Sequence, residues 1–481
     1  MSRTSASAAQ PRREAAHNAL HREDLLKGWI ERLTPRLRLA VVFGGDKSVP
    51  GSVIYQSPNT RSWKSYEAVA MDIAAALERI GFRDVQVVPE DMNLGDRLRR
   101  SGVHMAWLNS GGVQGYDPAA HAPAVLESLG VPYVGHDPLN ATTLDNKHTF
   151  KREAACLGFP TAPFITWSMA RGPFRPELSP RFSRVFAGYD GPFVVKPVSG
   201  RASLHVHVAD DRAGLPKCVE QVFDATENIV LIEKYMSGRE FCIAVSGPVT
   251  SRGRELMRRP EPFAFAPLER LLGPDERIFT SMDIRPITND RFRVLDPIQD
   301  GQMIEQLGRL ACDVFVEFNL NSLVRMDVRC DENGVLNILE ANPKPDLKMP
   351  SKDITSLICG GLAEAGMDYD DLILSLLADR LDFLLKHRRG TVAHIVDLLL
   401  DPTSAPAPGE PREHVAATPR STSRTGAGHP VAALIDRIAS DLNAQPAATG
   451  QPAGGRRGPA TAAARAGGPD GRTKTKLQGQ I

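Results

Sequence analysis

The sequence lacks the features of secreted, membrane-spanning and nucleic-acid-binding proteins. Its six cysteines form no C-x-x-C pair and no metal-type spacing with histidine, so we expect reduced thiols. No apolar run reaches the length of a membrane span, and the N-terminus has no apolar signal core. A formal net charge of +1 argues against a general role at nucleic acids or membrane surfaces. These absences predict a cytoplasmic protein without nucleic-acid or membrane partners.

What the sequence does contain is an alternation of short apolar runs with helical patterns, typical of a parallel sheet covered by helices. After Asp401 the composition shifts to Pro, Ala, Gly, Ser, Thr and Arg, which cannot bury enough apolar surface to offset the entropy of ordering. We therefore predict an α/β fold whose parts are a flexible tail at 1–36 with a short helix near Asp24–Leu33, an N-terminal α/β domain at 37–135, two α+β subdomains at 136–236 and 237–402, and a disordered tail at 403–481.

The segment 322–346 is the most informative part of the chain. It predicts two strands joined by a tight turn. Because alternate side chains of a strand share a face, Arg325 and Asp327 lie together on the first strand, and Glu340 and Asn342 on the second. Two carboxylates and an amide oxygen brought together suit Mg²⁺. The alternative is a surface hairpin with solvated acids.

Two lysines have the setting of phosphate ligands. Lys196 ends the apolar strand of residues 191–197, and Lys147 starts a helix-like segment. A second buried-type strand, residues 229–240, runs into polar residues and a glycine turn, which could offer backbone groups to an adenine and a carboxylate to a ribose. Taken singly, each lysine is more often a solvated surface residue, and only the set in this order forms a pattern.

These fragments stand in a fixed order: LAVVFGGDKS, GVPYVGHDPLNATTLDNKHTFK, GPFVVKPVSG, VLIEKYMSGREFCIAV and RMDV…ILEANPKPD. Together they resemble the ATP-grasp superfamily and, within it, the D-alanine–D-alanine ligase group, from about Arg38 to about Leu385. The resemblance implies a three-subdomain ATP-grasp architecture. It also implies ATP and Mg²⁺ as cofactors, with two ions and with Mn²⁺ as an alternative metal.

The resemblance also implies roles for single residues. Those assigned to ATP are Lys147, Lys196, Glu233, Lys234, Met236 and Glu240. Of these, the two lysines Lys147 and Lys196 would contact the phosphates, Glu233 and Lys234 would lie at the adenine, and Glu240 would take the ribose. Those assigned to the metal are Asp327, Glu340 and Asn342. Of the residues assigned to catalysis, Arg325 would steady the transferred phosphoryl group and the oxyanion, and Ser351 would hold a substrate carboxylate.

The amino-acid half departs from the pattern of this group. Asp46 and Lys47 stand where the family has a Glu-His pair that anchors the first substrate amine. Asp346 replaces a glycine whose bare backbone approaches the reacting carbonyl. The phosphate-covering loop gains Arg201, and residues 277–285 replace a loop with an active-site lysine. The sequence therefore predicts an intact ATP half and a rebuilt amino-acid half.

From this we predict an ATP-dependent carboxylate–amine ligase that makes a dipeptide or a γ-glutamyl amino acid through an acyl phosphate. An acidic substrate is suggested by the cations of the rebuilt half, namely Arg201, Arg285, Lys344, Lys348 and Lys352, unless these lie on an exposed loop. The alternatives are a D-alanine–D-alanine ligase of cell-wall synthesis and a catalytically inactive ATP-binding regulator. The predicted partners are small amino acids, and a homodimer is left open.

Overall fold

The computed structural model describes most of the chain between Glu23 and Leu400. The described residues are 23–45, 49, 52–53, 66–279, 287–352 and 355–400. The predicted tail at 403–481 lies outside them, as do Asp46, Lys47 and Arg285. Within the described ranges, no helix combines the length and the apolar character that a membrane crossing requires.

The first sheet is parallel and follows a short helix, α1 (Glu23–Leu33). Its strands and connecting helices are β1 (Arg38–Gly44), α2 (Glu67–Ile80), β2 (Asp84–Glu90), α3 (Leu94–Ser101), β3 (Met105–Asn109), α4 (His121–Leu129) and β4 (Tyr133–Val134). The strand order is β2-β1-β3-β4, and every residue of β1 is buried. Because the strands are parallel, the ends of β1, β2 and β3 meet at one edge of the sheet, where open α/β sheets bind ligands.

The second sheet is antiparallel and small. The elements of this part are α5 (Pro138–Asp145), α6 (Lys147–Cys156), β5 (Phe164–Trp167), α7 (Pro180–Val185), β6 (Phe193–Pro197), β7 (His207–Ala209), α8 (Leu215–Thr226) and β8 (Val230–Lys234). The strand order is β5-β8-β6-β7. Phe174, Phe182, Phe186 and Phe193 pack together beneath the sheet and hold β6 in place. This core fixes the strand that carries Lys196.

The third sheet contains the predicted hairpin. The elements of this part are β9 (Glu240–Ser246), β10 (Val249–Arg252), β11 (Glu255–Arg258), β12 (Phe263–Ala264), β13 (Leu268–Arg270), β14 (Phe292–Val294), α9 (Gly301–Glu317), β15 (Val324–Cys330) and β16 (Leu336–Asn342). The order is β14-β13-β9-β15-β16, with β12 also paired to β9. Leu307, Ala311 and Val314 of α9 are buried in the core against this sheet. The central position of β9 and β15 buries their charged residues.

The chain ends its described part with α10 (Tyr369–His387) and α11 (Ala393–Leu400). Asp368 and Asp371 form a capping box at the start of α10, and Asp371 also accepts a hydrogen bond from Ser251 Oγ of β10 at 2.7 Å. Helix α1 lies inside the range predicted as a flexible tail, but its Leu26 and Trp29 are buried. The predicted domain boundaries stay predictions, although each of the three larger sheets falls within one of the predicted ranges; β10 and β11 form a separate two-stranded sheet.

Candidate active site

Two adjoining cavities of about 100 and 110 Å³ lie among the second and third sheets and the loops beside them. Their shared wall contains Lys147, Arg270, Asp327 and Glu340. The first cavity continues past Lys196 to Met236, which are residues that the sequence assigns to ATP. The second continues past Asn342 to Asp346, in the half that the sequence predicts to be rebuilt. The residues assigned to ATP and those of the half predicted to be rebuilt therefore line two adjoining cavities, here called the nucleotide half and the amino-acid half of the candidate site.

The predicted hairpin of the metal residues is present. Strands β15 and β16 pair antiparallel, with Asp327 opposite Glu340 and Arg325 opposite Asn342. A register shift follows directly after Asp327, so the strand is irregular beside the carboxylate. All four side chains line the second cavity. The alternation of side chains along the two strands therefore brings together the residues that the sequence groups.

Asp327 is buried and held by two guanidinium groups. Its Oδ1 accepts a hydrogen bond from Arg325 Nε at 2.9 Å, and its Oδ2 accepts from Arg270 Nη2 at 2.8 Å and Arg325 Nη2 at 3.1 Å. Burial alone would raise the pKa of Asp327, but the charges of Arg270 and Arg325 outweigh burial and lower it. Asp327 is therefore an ionised carboxylate at neutral pH.

The chemistry of this donor set suits Mg²⁺. Carboxylate and amide oxygens of Asp327, Glu340 and Asn342 face one cavity, and such hard oxygen ligands are those that Mg²⁺ takes. The amide oxygen of Asn342 is oriented by the backbone N–H of Lys344, which donates to it at 3.0 Å. A metal here would share the Asp327 carboxylate with Arg270 and Arg325, whereas Glu340 is more exposed. The residues therefore fit the ion, with Glu340 as its most accessible carboxylate.

Lys147 lies beside the hairpin because of a helix cap. Asn146 Oδ1 accepts a hydrogen bond from Thr149 N at 3.1 Å and so fixes the first turn of α6. From this turn Lys147 Nζ donates to Gly200 O at 3.0 Å and lies 3.2 Å from Glu340 Oε2. Gly200 belongs to the predicted phosphate-covering loop. Lys147 thus joins that loop to the metal hairpin.

Lys196 and Glu233 form a buried cluster with a second lysine. Lys196 Nζ lies 2.5 Å from Glu233 Oε1, and Lys151 Nζ lies 3.1 Å from Glu233 Oε2. Burial would raise the pKa of Glu233, but the charges of Lys151 and Lys196 lower it. Burial lowers the pKa of Lys151. Burial also opposes the charge of Lys196, but Glu233 and Glu340 raise its pKa. Glu233 therefore holds Lys196 at the cavity as a full cation.

Glu240, which the sequence assigns to the ribose, is also paired with arginines. Its Oε1 accepts a hydrogen bond from Arg270 Nη1 at 2.8 Å, and its Oε2 lies 3.3 Å from Arg329 Nη1. Arg270 lies over the Phe279 ring at 5.0 Å and also binds Asp327. One buried arginine therefore connects the carboxylate assigned to the ribose with the carboxylate assigned to the metal.

Lys234 and Met236 line the far end of the first cavity. Lys234 Nζ donates to Glu332 Oε1 at 2.8 Å and lies over the Tyr189 ring at 5.2 Å. Met236 is buried and apolar, which suits packing against the flat ring of an adenine base. The charge of Lys234 is therefore directed towards Glu332 at the cavity rim.

The serine predicted to hold a substrate carboxylate lies elsewhere. Ser351 is exposed and is not among the described residues that line either cavity. Ser356, five residues later, is buried and lines the second cavity. The structure therefore does not bring Ser351 together with the other predicted site residues.

The predicted cations of the amino-acid half are distributed unevenly. Arg201 and Lys344 line the second cavity, whereas Lys348 and Lys352 are not among the described residues that do so. Arg201 Nη2 donates to Asp145 Oδ1 at 3.3 Å, so its charge is partly matched within the protein. Lys344 Nζ lies 3.1 Å from the centre of the Tyr66 ring. These internal partners weaken the inference of an acidic substrate.

Sequence reasoning missed Lys151, Arg270, Arg329 and Phe279. Lys151 follows Lys147 by four residues in a helix, and this spacing was the one available signal, since such residues share a face. Arg270, Arg329 and Phe279 enter the site through strand pairing and loop packing across long sequence separations. No local pattern marks them.

Comparison with known proteins agrees with the fold. The family described as D-ala D-ala ligase C-terminus matches residues 154–270, a range that includes Lys196, Glu233 and Glu240 but ends before the metal hairpin. The D-alanine–D-alanine ligase of Pseudomonas entomophila is 28% identical over 350 residues, which are 71% of this chain and 92% of that protein.

Solved structures of two such ligases are similar to this chain. The crystal structure of the Bacillus anthracis D-alanine–D-alanine ligase complexed with ATP has a TM-score of 0.52 and 19% identity, and covers 72% of this chain and 99% of that chain. The enzyme from Coxiella burnetii has a TM-score of 0.51 and 18% identity, and covers 75% and 99%. The predicted ATP-grasp fold and the predicted resemblance to D-alanine–D-alanine ligases are confirmed.

Proposed function

We propose that this chain, which has the ATP-grasp fold and resembles D-alanine–D-alanine ligases, is an ATP-dependent carboxylate–amine ligase that joins two small amino acids. One observation carries the proposal: Lys147 and Lys196 line the same cavity as Asp327 and Glu340. Cations for a phosphate chain and oxygen ligands for a metal are thereby held in one place, beside a second cavity that can take amino acids.

The chemistry begins with a carboxylate that does not acylate an amine in water without activation. A carboxylate oxygen of one amino acid attacks the γ-phosphorus of ATP, ADP leaves, and an acyl phosphate forms. The amine of the second amino acid then attacks the acyl carbon, and phosphate leaves with the bonding electrons. Lys147 and Lys196 hold the phosphates for the first step. Arg325 donates to Asp327 through Nε and Nη2. Its remaining nitrogen, Nη1, carries N–H donors that can stabilise the oxyanion of the second step.

Mg²⁺ is the metal that we propose for Asp327, Glu340 and Asn342. When bound there it would neutralise part of the phosphate charge. The number of ions and the use of Mn²⁺ instead of Mg²⁺ stay predictions.

D-alanine is the amino acid that we propose to test first for both positions. The similarity to D-alanine–D-alanine ligases supports this pair better than it supports a γ-glutamyl or other specialised dipeptide product. The internal partners of Arg201 and Lys344 point the same way, because cations already matched within the protein demand no additional substrate carboxylate. Asp346 still lines the amino-acid cavity, so a substrate with a different small side chain is the second candidate.

The test is the formation of ADP and of dipeptide by the full chain with ATP and Mg²⁺. D-alanine alone is compared with L-alanine, and with L-glutamate paired with a second amino acid; the products are identified by mass. We expect ADP and dipeptide to form together with a small amino acid, and to be lost in Glu340→Gln. If ATP binds in calorimetry but no amino acid stimulates ADP formation, the inactive regulator replaces the ligase.

A further inference from the structure

A small cavity of about 30 Å³ lies behind the amino-acid cavity, at the edge of the first sheet. Its walls come from the segments that follow β3 and β4, including Ser110 and His136, and from Ala119. It shares Arg201, Pro343 and Lys344 with the amino-acid cavity. None of these residues is among those assigned above to ATP or metal. A substrate bound in the larger cavity can therefore extend a side chain towards this one.

His136 gives this cavity its chemical character. The ring is 3% exposed, and its Nε2 lies 3.1 Å from the carbonyl oxygen of Leu323. Since a carbonyl can only accept, Nε2 carries the proton and Nδ1 presents a lone pair. Among the described residues, Nδ1 has no hydrogen-bond partner. Burial lowers the pKa of His136 to about 4, so the ring is neutral at physiological pH. The structure therefore holds a buried acceptor that lacks a donor, which is costly.

The remaining walls decide which donor fits. An ammonium group would meet the positive charges of Arg201 and Lys344, and a carboxylate would face the lone pair of His136. A methyl group would leave Nδ1 without a donor. A hydroxyl can donate to His136 Nδ1 and accept from a guanidinium N–H of Arg201 at the same time. The volume admits a group of one or two heavy atoms.

We propose that this cavity receives the hydroxyl of a serine-like amino-acid substrate, and that His136 selects that substrate over alanine. This inference rests on the proposed ligase function and adds to it a side-chain preference for one of the two amino acids. An ordered water that satisfies His136 without contacting substrate is the competing account.

The experiment compares kcat/KM for serine and alanine, in both enantiomers, by ADP release with ATP and Mg²⁺. A site built to bond a hydroxyl rejects the analogue that lacks it strongly, so we expect serine to exceed alanine by at least about tenfold for the preferred enantiomer. His136→Phe should bring this ratio to one or below while leaving ATP affinity unchanged. The matched control is His104→Phe, a buried histidine of the first sheet whose Nδ1 accepts from Arg38 N at 3.0 Å. It should keep the wild-type ratio.

A second variant keeps the proposal testable if His136→Phe does not fold. Ala119→Leu fills the cavity from a half-buried position and should reduce the serine value to that of alanine. The proposal is overturned if the wild type prefers alanine, or if the ratio of kcat/KM for serine to that for alanine is unchanged in both variants. In either case an ordered water is the better account of His136.

The proposal can also be separated from the ligase function. If no amino acid supports ADP formation, calorimetry with a non-hydrolysable ATP analogue and Mg²⁺ compares the binding of serine and alanine directly. Tighter binding of serine that is lost in Ala119→Leu supports the cavity even when turnover fails. Equal binding, or no binding of either amino acid, refutes it.

Discussion

Replacing Glu233 by glutamine tests the buried charge cluster of the nucleotide half. Glu233 is the carboxylate between the ammonium groups of Lys151 and Lys196, at 3.1 and 2.5 Å. Glu233→Gln keeps the shape but leaves two buried cations with only an amide oxygen. Removing one partner of a buried ion pair costs about 3–5 kcal/mol. At an unfolding entropy of about 2.1 cal/mol/K per residue, one kcal/mol corresponds to ~1 °C in this chain of 481 residues, so we expect the melting midpoint to fall by about 3–5 °C.

The pH dependence of this loss has a definite sign. Burial lowers the pKa of Lys151 in the folded state, and Glu233→Gln removes a charge that opposes this lowering, while the unfolded chain keeps the ordinary pKa of the lysine. The unfolded state then binds more protons across alkaline pH, so the free energy of unfolding of the variant rises as pH rises from neutral towards 10. In the wild type the lowered pKa of Glu233 adds stability above its ordinary range that is lost as pH falls.

Thermal unfolding at pH 7, 8.5 and 10 measures both effects. Glu332→Gln is the matched control, because it removes a carboxylate from Lys234 of the same strand at an exposed position. Surface pairs contribute little, so no measurable change is expected there. Equal melting of Glu233→Gln and the wild type at pH 7, or a variant that gains nothing at high pH, would refute the buried-cluster argument.

Three further predictions concern single groups. Asp327→Asn and Glu340→Gln should each reduce Mg²⁺-dependent ADP formation by about 100-fold or more, with cooperative melting retained, because a metal site supplies several kcal/mol; turnover near that of the wild type in both would contradict the assignment. Lys196→Ala should weaken ATP binding in calorimetry by about 10- to 100-fold, whereas Lys217→Ala, an exposed lysine of α8, should not change it; equal losses would contradict the role of the β6 lysine. Burial raises the pKa of Glu90 from 4.5 to about 7, so the folded state holds a proton that the unfolded state releases between these values. Glu90→Gln should therefore be favoured over the wild type by about 3 kcal/mol above pH 7 but not below pH 4.5, in urea unfolding across that range; a constant difference would contradict it.

The sequence alone predicted the β15–β16 hairpin, with the residues proposed for the metal, and the apolar strand that carries Lys196, because both depend on local rules. Alternation along a strand determines which side chains share a face, so Asp327, Glu340 and Asn342 were grouped correctly from their spacing. Lys196 follows the apolar run, as predicted, and is the penultimate residue of β6, which includes Pro197. The turn between β15 and β16 follows from local turn chemistry too.

The arginines around these acids could not be predicted in that way. Arg270 reaches Asp327 because β13 and β15 both pair with β9, and this pairing joins residues 57 positions apart. Arg329 faces Glu240 through the pairing of β9 with β15. The residue pattern of a single strand does not show which residues of other strands it will lie beside. The carboxylates were therefore identified, but their charge state and partners were not.

The same limit applies to the amino-acid half, where the structure places some residues away from the position that the sequence suggests. Ser351 was chosen by its place in a family pattern, yet the loop that follows Asn342 carries it to the surface and places Ser356 at the cavity. The predicted cations were counted as free charge because their partners, Asp145 and the Tyr66 ring, lie far away in the chain. Counting the charged residues of a sequence therefore overestimates the charge that a substrate has to neutralise, because the count ignores partners within the protein.

The two halves of the candidate site also differ in how completely their buried polar groups are paired within the protein. In the half assigned to the nucleotide, the buried acids are paired with lysines and arginines, so the proposed phosphate and metal would have to share the ligands of an already paired network. At the edge of the first sheet the balance is incomplete: among the described residues, His136 Nδ1 is a buried acceptor without a hydrogen-bond donor, and it lies at a cavity. Since unsatisfied buried acceptors cost free energy, a ligand that supplies hydrogen-bond donors gains most at this edge. Substrate selection is therefore expected at the edge of the first sheet, whereas the third sheet keeps the catalytic groups that the fold provides.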